Sequence, residues 1–253
     1  MTGLYQREDN VFRAVFSLTF RDCDPRRRIK LSSLLGLSGD IAGADYTLRG
    51  LPYEKMLANG EVFLLSRYSF RIVCWPMEGE QFCVRTWEHG AEGVHVLRDY
   101  IYENAEGLPC VYGTSAWVIV DPASRRPIRP SAFKSGVMLS SDKKADCPAA
   151  VRIRPEEARL QPLGVRTVVF SDLDANGHLS NGKYGDIAAD FLPAPLRSAG
   201  YDTFEINFIH EALEGEHLEI AGYGDEREYV LAGRHEAGNG FICRFGHADA
   251  VRG

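Results

Sequence analysis

No stretch of the 253-residue sequence approaches the roughly 20 consecutive apolar residues that a membrane-crossing helix needs. The first ten residues, MTGLYQREDN, lack the apolar segment of a secretory signal, so the expected address is the cytoplasm, with no membrane partner. Basic residues are not in excess: 29 Lys and Arg stand against 35 Asp and Glu, for a formal net charge of −6. A general nucleic-acid binder carries the opposite balance, so that class is set aside. The six cysteines (Cys23, Cys74, Cys83, Cys110, Cys147 and Cys243) include no CxxC pair. This argues against a zinc ribbon or disulfide frame and predicts reduced, mostly buried thiols. No GxSxG motif occurs, so a serine hydrolase built on a nucleophile elbow is not indicated.

What is present is alternating apolar patterning in two regions. In the first, segments 13–20, 61–75, 80–90, 93–104 and 109–122 are rich in Val, Ile, Phe, Tyr and Trp and read as strands. Turns such as "MEGE", "HGAEG" and "NAEG" separate several of them, as in an antiparallel meander. Between the first two strands, 30–50 carries Leu31, Leu34, Leu35, Ile41 and Ala42 at helical spacing, with Gly36 and Gly39 weakening the helix. The second region repeats the order: a strand at 164–172, a helix at 181–192 ended by Pro193 and Pro195, then strands at 202–213, 216–224, 226–238 and 240–250. The stretch between, 125–158, is rich in Pro, Ser and charge and reads as a crossing linker rather than core. One helix against a curved antiparallel sheet is the hot-dog arrangement. Two copies predict an α+β tandem hot-dog: an N-terminal unit over 1–130, a linker over 131–162 and a C-terminal unit over 163–253.

The repeat is legible residue by residue. "TFRDCDPRRRIKLSSLL" (19–35) lies over "VFSDLDANGHLSNGKYG" (169–185) at an offset of 150, matching Phe20 to Phe170, Asp22 to Asp172 and Asp24 to Asp174. Arg26 and Arg28 then stand opposite Asn176 and His178. A second register aligns "FRIVCWPMEGEQFCV" (70–84) with "INFIHEALEGEHLEI" (206–220) and sets Trp75 opposite Glu211. Both alignments give one asymmetry: the C-terminal half keeps groups that can react, and the N-terminal half has lost them.

Those groups suit the addition of water to a polarised carbonyl. Histidine is the side chain type suited to proton transfer near neutral pH, which makes His178 the candidate. Asn176 can donate to an oxygen gaining charge, at a helix start that adds N–H groups and a positive dipole end. Asp174 can orient the imidazole or a water, and Glu211 can serve as general base or as the partner of His178. Taken singly, Asp174 and Asn176 are also ordinary cap and turn residues. Asp174, His178 and Glu211 could form a mixed metal-ligand set, but no second histidine lies near His178 in sequence, and neither metal nor cofactor is expected.

At this point the chain resembles a known family, the acyl-acyl carrier protein thioesterases of plant plastids and bacteria. The family's motif D-x-N-x-H-x-N-N-x-x-Y before a helix is similar to Asp174-Ala-Asn176-Gly-His178-Leu-Ser180-Asn181-Gly-Lys-Tyr184, and "FIHEALEGE" places Glu211 where the family has its Glu-Cys. "VRTWEHGAEGVHVLRDYIY" (84–102) and "TSAWVIVDPASRRPIRP" (114–130) resemble the family's N-terminal strands and linker start. The resemblance implies a hydrolase of fatty acid biosynthesis that releases free fatty acid from acyl carrier protein, as a monomer or a homodimer of tandem units. It implies catalysis by Asp174, Asn176, His178 and Glu211, an apolar acyl tunnel largely in the N-terminal half, and docking of the acidic carrier on a basic surface. The clusters 25–30 and 124–130 are candidates for that surface. Two departures stand out: Ser180 replaces the first of the paired asparagines, and Ala212 replaces the family's cysteine. Without that thiol, the expected nucleophile is activated water. An acyl-CoA thioesterase and a non-catalytic acyl-binding protein use the same features. A hot-dog hydratase would need D-x-N-P-x-H, which is absent.

Overall fold

The computed structural model describes residues 5–236 and 238–247. The N-terminal half runs β1 (Tyr5–Glu8), β2 (Val11–Ser17), α1 (Leu31–Leu48), α2 (Tyr53–Ala58), β3 (Val62–Ile72), β4 (Gln81–Glu92), β5 (His95–Glu103), β6 (Pro109–Val120) and a short β7 (Pro127–Ile128). The C-terminal half repeats the order as β8 (Gln161–Thr167), α3 (Asn181–Phe191), α4 (Ala194–Ala199), β9 (Thr203–Phe208), β10 (His217–Gly224), β11 (Glu228–His235) and β12 (Gly238–Gly246). Among the described residues, no helix is long and apolar enough to cross a membrane.

These strands form one antiparallel sheet in the order β1-β2-β4-β5-β6-β3-β9-β12-β11-β10-β8, with β7 on β6. The halves join where β3 pairs with β9 and Ser69 lies opposite Glu205. Those two positions also correspond under the offset of 136 that carries Phe70 to Ile206, so a pseudo-twofold axis passes between them. The fold is a tandem hot-dog. Period-two burial in β5 (Val96, Arg98, Tyr100, Tyr102) turns one face inward. In α1 the buried stripe Leu31, Leu34, Leu35, Ser38, Ile41, Ala42 and Asp45 faces that sheet.

The two long helices meet on the inner face, and glycine sets how closely. A Cβ on Gly185 would lie 2.7 Å from the Ser32 backbone nitrogen, and one on Gly182 3.0 Å from the Ser32 carbonyl oxygen. Gly36, which weakens α1 by propensity, lies at this contact, its Cα 3.8 Å from the Gly182 Cβ position. One apolar cluster then spans both halves, with Leu34 and Ile41 of α1 in the same core as Ile187, Phe204 and Phe245.

Several expected boundaries shift. The chain starts its sheet earlier, with a β1–β2 hairpin turned by Asp9 and Asn10, both at positive φ, a pair less conspicuous than Asn-Gly. The strand expected at 164–172 is β8, and its last residues instead form a 3₁₀ turn, Phe170–Asp172. The strand expected at 202–213 ends at Phe208, so Glu211 lies on the loop that follows. Residues 248–250 of the strand expected at 240–250 lie outside the described residues. The short helices α2 and α4 are too brief to show a period, and Pro193 caps α4 with Pro195 in its first turn. The linker contributes to packing after all: Ile153 is buried against Val230, Ala232 and Ile242, and its N–H donates to Asn207 Oδ1 at 2.8 Å. A single buried apolar residue in a polar stretch leaves no periodic signal. The thiols are all free; Cys23, Cys110 and Cys243 are buried, Cys83 and Cys147 half-buried and Cys74 exposed.

Candidate functional site

The motif turns of the two halves share most of their backbone hydrogen bonds. In the C-terminal turn the Asp174 N–H donates to the His178 carbonyl at 2.8 Å, and in the N-terminal turn the Asp24 N–H donates to Arg28 at 2.7 Å. Asp174 Oδ1 accepts the N–H groups of Asn176 (2.8 Å) and His178 (3.3 Å), just as Asp24 Oδ1 accepts those of Arg26 (2.8 Å) and Arg28 (3.0 Å). Gly177 and its counterpart Arg27 both sit in the left-handed region, at φ 78° and 65°. Bridges Leu173–Leu179 and His178–Leu213 mirror Cys23–Ile29 and Arg28–Met77. The shared aspartate therefore shapes the turn through the backbone; the Asp174 carboxylate holds N–H groups rather than the imidazole.

The side chains the turns carry differ completely. His178 Nε2 lies 3.5 Å from Glu211 Oε2, with the two side chains 33% and 37% exposed. Glu211 Oε1 in turn holds Nη2 of Arg125 at 2.7 Å, and the Tyr53 hydroxyl donates to Asn176 Oδ1 at 3.2 Å. With Oδ1 engaged, the Asn176 amide N–H groups are the part left to donate elsewhere. Sequence reasoning brings Asp174, Asn176, His178 and Glu211 to one place, and the structure does gather all four along one cleft of about 790 Å³. Tyr53 and Arg125 were missed as contacts of this site. So were His210 and His235, which also line the cleft with ring centroids 6.0 Å apart. His210 neighbours Glu211 in sequence, which was the available signal; the others come from distant segments. Among the described residues, no three His, Cys, Asp or Glu side chains gather as a metal site would require.

The cleft is walled on the N-terminal side by Phe63, Leu65, Trp117 and Val120, and on the other by Tyr184 and Phe208, whose rings meet edge to face. Burial pushes the Tyr184 phenol up, so it stays protonated. Ala212 is wholly buried, and no cysteine lines the cleft. Deeper in the N-terminal half, the space between α1 and the sheet holds Tyr68, Tyr100 and Tyr102, all fully buried. Near the end of α1, buried Arg98 donates to Asp45 (2.8 Å) and Glu88 (3.2 Å), and Arg49 also reaches Glu88 (2.8 Å). Burial alone would raise the Glu88 carboxyl; the Arg98 and Arg49 guanidinium groups, with hydrogen bonds from Tyr46 and the Leu139 N–H, together outweigh it and hold Glu88 below the usual carboxylate range.

A second cleft of about 750 Å³ flanks the N-terminal turn. Arg28 occupies the place of His178, bonding Asp24 Oδ2 through Nε (3.1 Å) and Nη2 (2.9 Å), with its guanidinium 4.8 Å from the Trp75 ring centre. Trp75 packs edge to face on Tyr201 at 5.4 Å. An imidazole in one half is thus replaced in the other by a guanidinium stacked on an indole.

Comparison with known proteins places the two halves in two profiles of one family. Residues 9–131 match the family profile of the acyl-ACP thioesterase N-terminal domain, and residues 154–245 that of the acyl-ACP thioesterase C-terminal domain. A chloroplastic palmitoyl-acyl carrier protein thioesterase from Gossypium hirsutum is 25% identical over 172 residues, covering 64% of this chain but only 38% of that relative's length. In structure, the chain is similar to an acyl-ACP thioesterase from Bacteroides thetaiotaomicron (TM-score 0.86, 20% identity, 94% of this chain and 97% of that one). It is also similar to a 12:0-ACP thioesterase from Umbellularia californica (TM-score 0.76, 15% identity, 95% and 98% covered). At these identities the structural matches speak to the fold.

Proposed function

The chain belongs to the acyl-acyl carrier protein thioesterase family, and from that premise we propose that it hydrolyses the thioester of a fatty acyl group carried on acyl carrier protein, releasing free fatty acid. The observation that carries this reading is the His178–Glu211 pair, 3.5 Å apart at an apolar cleft, with its counterpart in the other half replaced by Arg28 and Trp75. His178 and Glu211 activate a water molecule, which adds to the thioester carbonyl. The Asn176 amide donates to the oxygen that gains charge. Asp174 acts through the turn, its carboxylate accepting the N–H groups of Asn176 and His178. A buried alanine at position 212 and the lack of a thiol in the cleft support water rather than cysteine as nucleophile. The acyl chain lies against Phe63, Leu65, Trp117 and Val120, which gives the N-terminal half its share of the substrate. Six free thiols support a reducing compartment such as the cytoplasm.

The test is release of free fatty acid from purified acyl-carrier substrate, beside the same acyl group on CoA. Faster turnover of the carrier thioester is expected, and His178→Ala should lower it by at least ~100-fold. Hydrolysis of the CoA thioester alone would move the assignment to an acyl-CoA thioesterase, and binding without release to a non-catalytic acyl-binding protein.

A further inference from the structure

The N-terminal half has lost the reactive residues, yet it reaches the C-terminal turn with two side chains. Tyr53 stands at the first position of α2, and its hydroxyl holds Asn176. Arg125 stands on the turn after β6 and holds Glu211. That turn is tightly built: Asp121 Oδ1 accepts the N–H groups of Ala123 (2.8 Å) and Ser124 (2.9 Å). The Arg125 N–H donates to the Asp121 carbonyl at 2.8 Å, and Arg125 itself takes φ 56°, a conformation an arginine adopts only where neighbours impose it. A backbone so constrained fixes where the guanidinium starts, although the side chain is 74% exposed.

The pseudo-twofold axis gives a control. On the other side, α4 of the C-terminal half leans on the N-terminal turn: Arg26 donates to the Ser198 carbonyl, and Arg28 contacts the Arg197 carbonyl at 3.5 Å. Each half's second helix therefore touches the other half's turn, which is a property of the architecture. Only at the C-terminal turn does the contact end on side chains that can take part in chemistry.

We propose that Tyr53 and Arg125 are positioning residues contributed across the pseudo-twofold axis, Tyr53 setting the rotation of the Asn176 amide and Arg125 holding the Glu211 carboxylate toward His178. This rests on the reading above, in which Asn176 and Glu211 act on the thioester. Tyr53 takes the amide oxygen, so the amide N–H groups face the substrate. Arg125 occupies one carboxylate oxygen and leaves Oε2, the oxygen nearer His178, to work with the imidazole. A carboxylate on a loop would otherwise sample several rotamers, and orientation is worth rate only when the group is held in place.

The experiment measures kcat and KM on an acyl-carrier thioester for Tyr53→Phe, Arg125→Gln and Arg125→Lys, with thermal melting of each. Expected is a kcat lower by about 5-fold for Tyr53→Phe and about 10- to 100-fold for Arg125→Gln, with KM steady and much of the loss restored in Arg125→Lys. The paired variants Y53F/N176A and R125Q/E211Q should be no slower than N176A and E211Q alone, because a positioning residue has nothing left to position. A rise in KM at unchanged kcat would overturn the proposal and make these residues substrate contacts. Equal proportional losses in the paired variants, or no loss at all, would overturn it too. Failure of the underlying reading looks different: the wild-type chain itself would then release no fatty acid.

Discussion

Arg28 and His178 occupy the same place on two nearly identical turns, each held by an aspartate that accepts two backbone N–H groups. One turn presents a guanidinium bonded to that aspartate and stacked on Trp75; the other presents an imidazole facing a carboxylate. The difference teaches which residues belong to the scaffold. Asp24 and Asp174, Arg27 and Gly177, and the bridges to the following loops recur because the backbone path requires them. Asn176, His178 and Glu211 recur nowhere in the other half, so nothing in the shared path explains them. The N-terminal half has not simply decayed: it buries an Arg98–Asp45–Glu88 network and supplies much of the apolar wall of the cleft.

The comparison can be broken most severely at that network. Arg98→Ala leaves Asp45 and Glu88 buried with a partner gone, and should cost about 3–5 kcal/mol in urea unfolding. Against a typical total of about 5–15 kcal/mol, that is a large fraction. The same network gives stability a pH dependence. The Glu88 carboxyl is lowered in the folded state, so its contribution is complete above its unfolded pKa and disappears as pH falls through the lower folded value. Unfolding midpoints measured down through the acid range should show that loss, and Glu88→Gln should flatten it.

Next come the turns themselves. Glu211→Gln should reduce thioester turnover by ~100-fold or more, while Arg28→Ala should leave it unchanged, both read as kcat at saturating acyl-carrier substrate. Equal losses would erase the functional asymmetry. A smaller effect is expected where the two halves touch: Gly185→Ala places a Cβ 2.7 Å from the Ser32 nitrogen. It should lower stability by about 1–3 kcal/mol, measurable as a lower Tm. The least effect belongs to Ala212→Cys. The side chain there is wholly buried, so restoring the family's cysteine should bring no gain in turnover; a requirement for it would overturn hydrolysis by water.

How much was legible follows from the range of each interaction. The repeat was visible because its turn is local: Asp174 bonds residues two and four positions on, so spacing alone carries it. Glu211 was found through a second register, although it sits on a loop beyond β9 rather than in a strand. Arg125 and Tyr53 left no such trace. Arg125 reads as one member of a basic cluster, and Tyr53 begins a six-residue helix too short for a period. Ile153, alone in a polar linker, gave no sign that it was buried.

The sequence by itself determined the order of elements, the duplication, and which copy carries an amide, an imidazole and a carboxylate, because these are matters of local spacing and residue type. The tertiary structure decided the rest: that β3 pairs with β9 so both halves share one sheet, that Gly185 lets the helices touch, and that an N-terminal tyrosine and arginine meet the C-terminal turn. Those contacts join residues far apart along the chain, and only the closing of the sheet around its pseudo-twofold axis brings them within bonding distance.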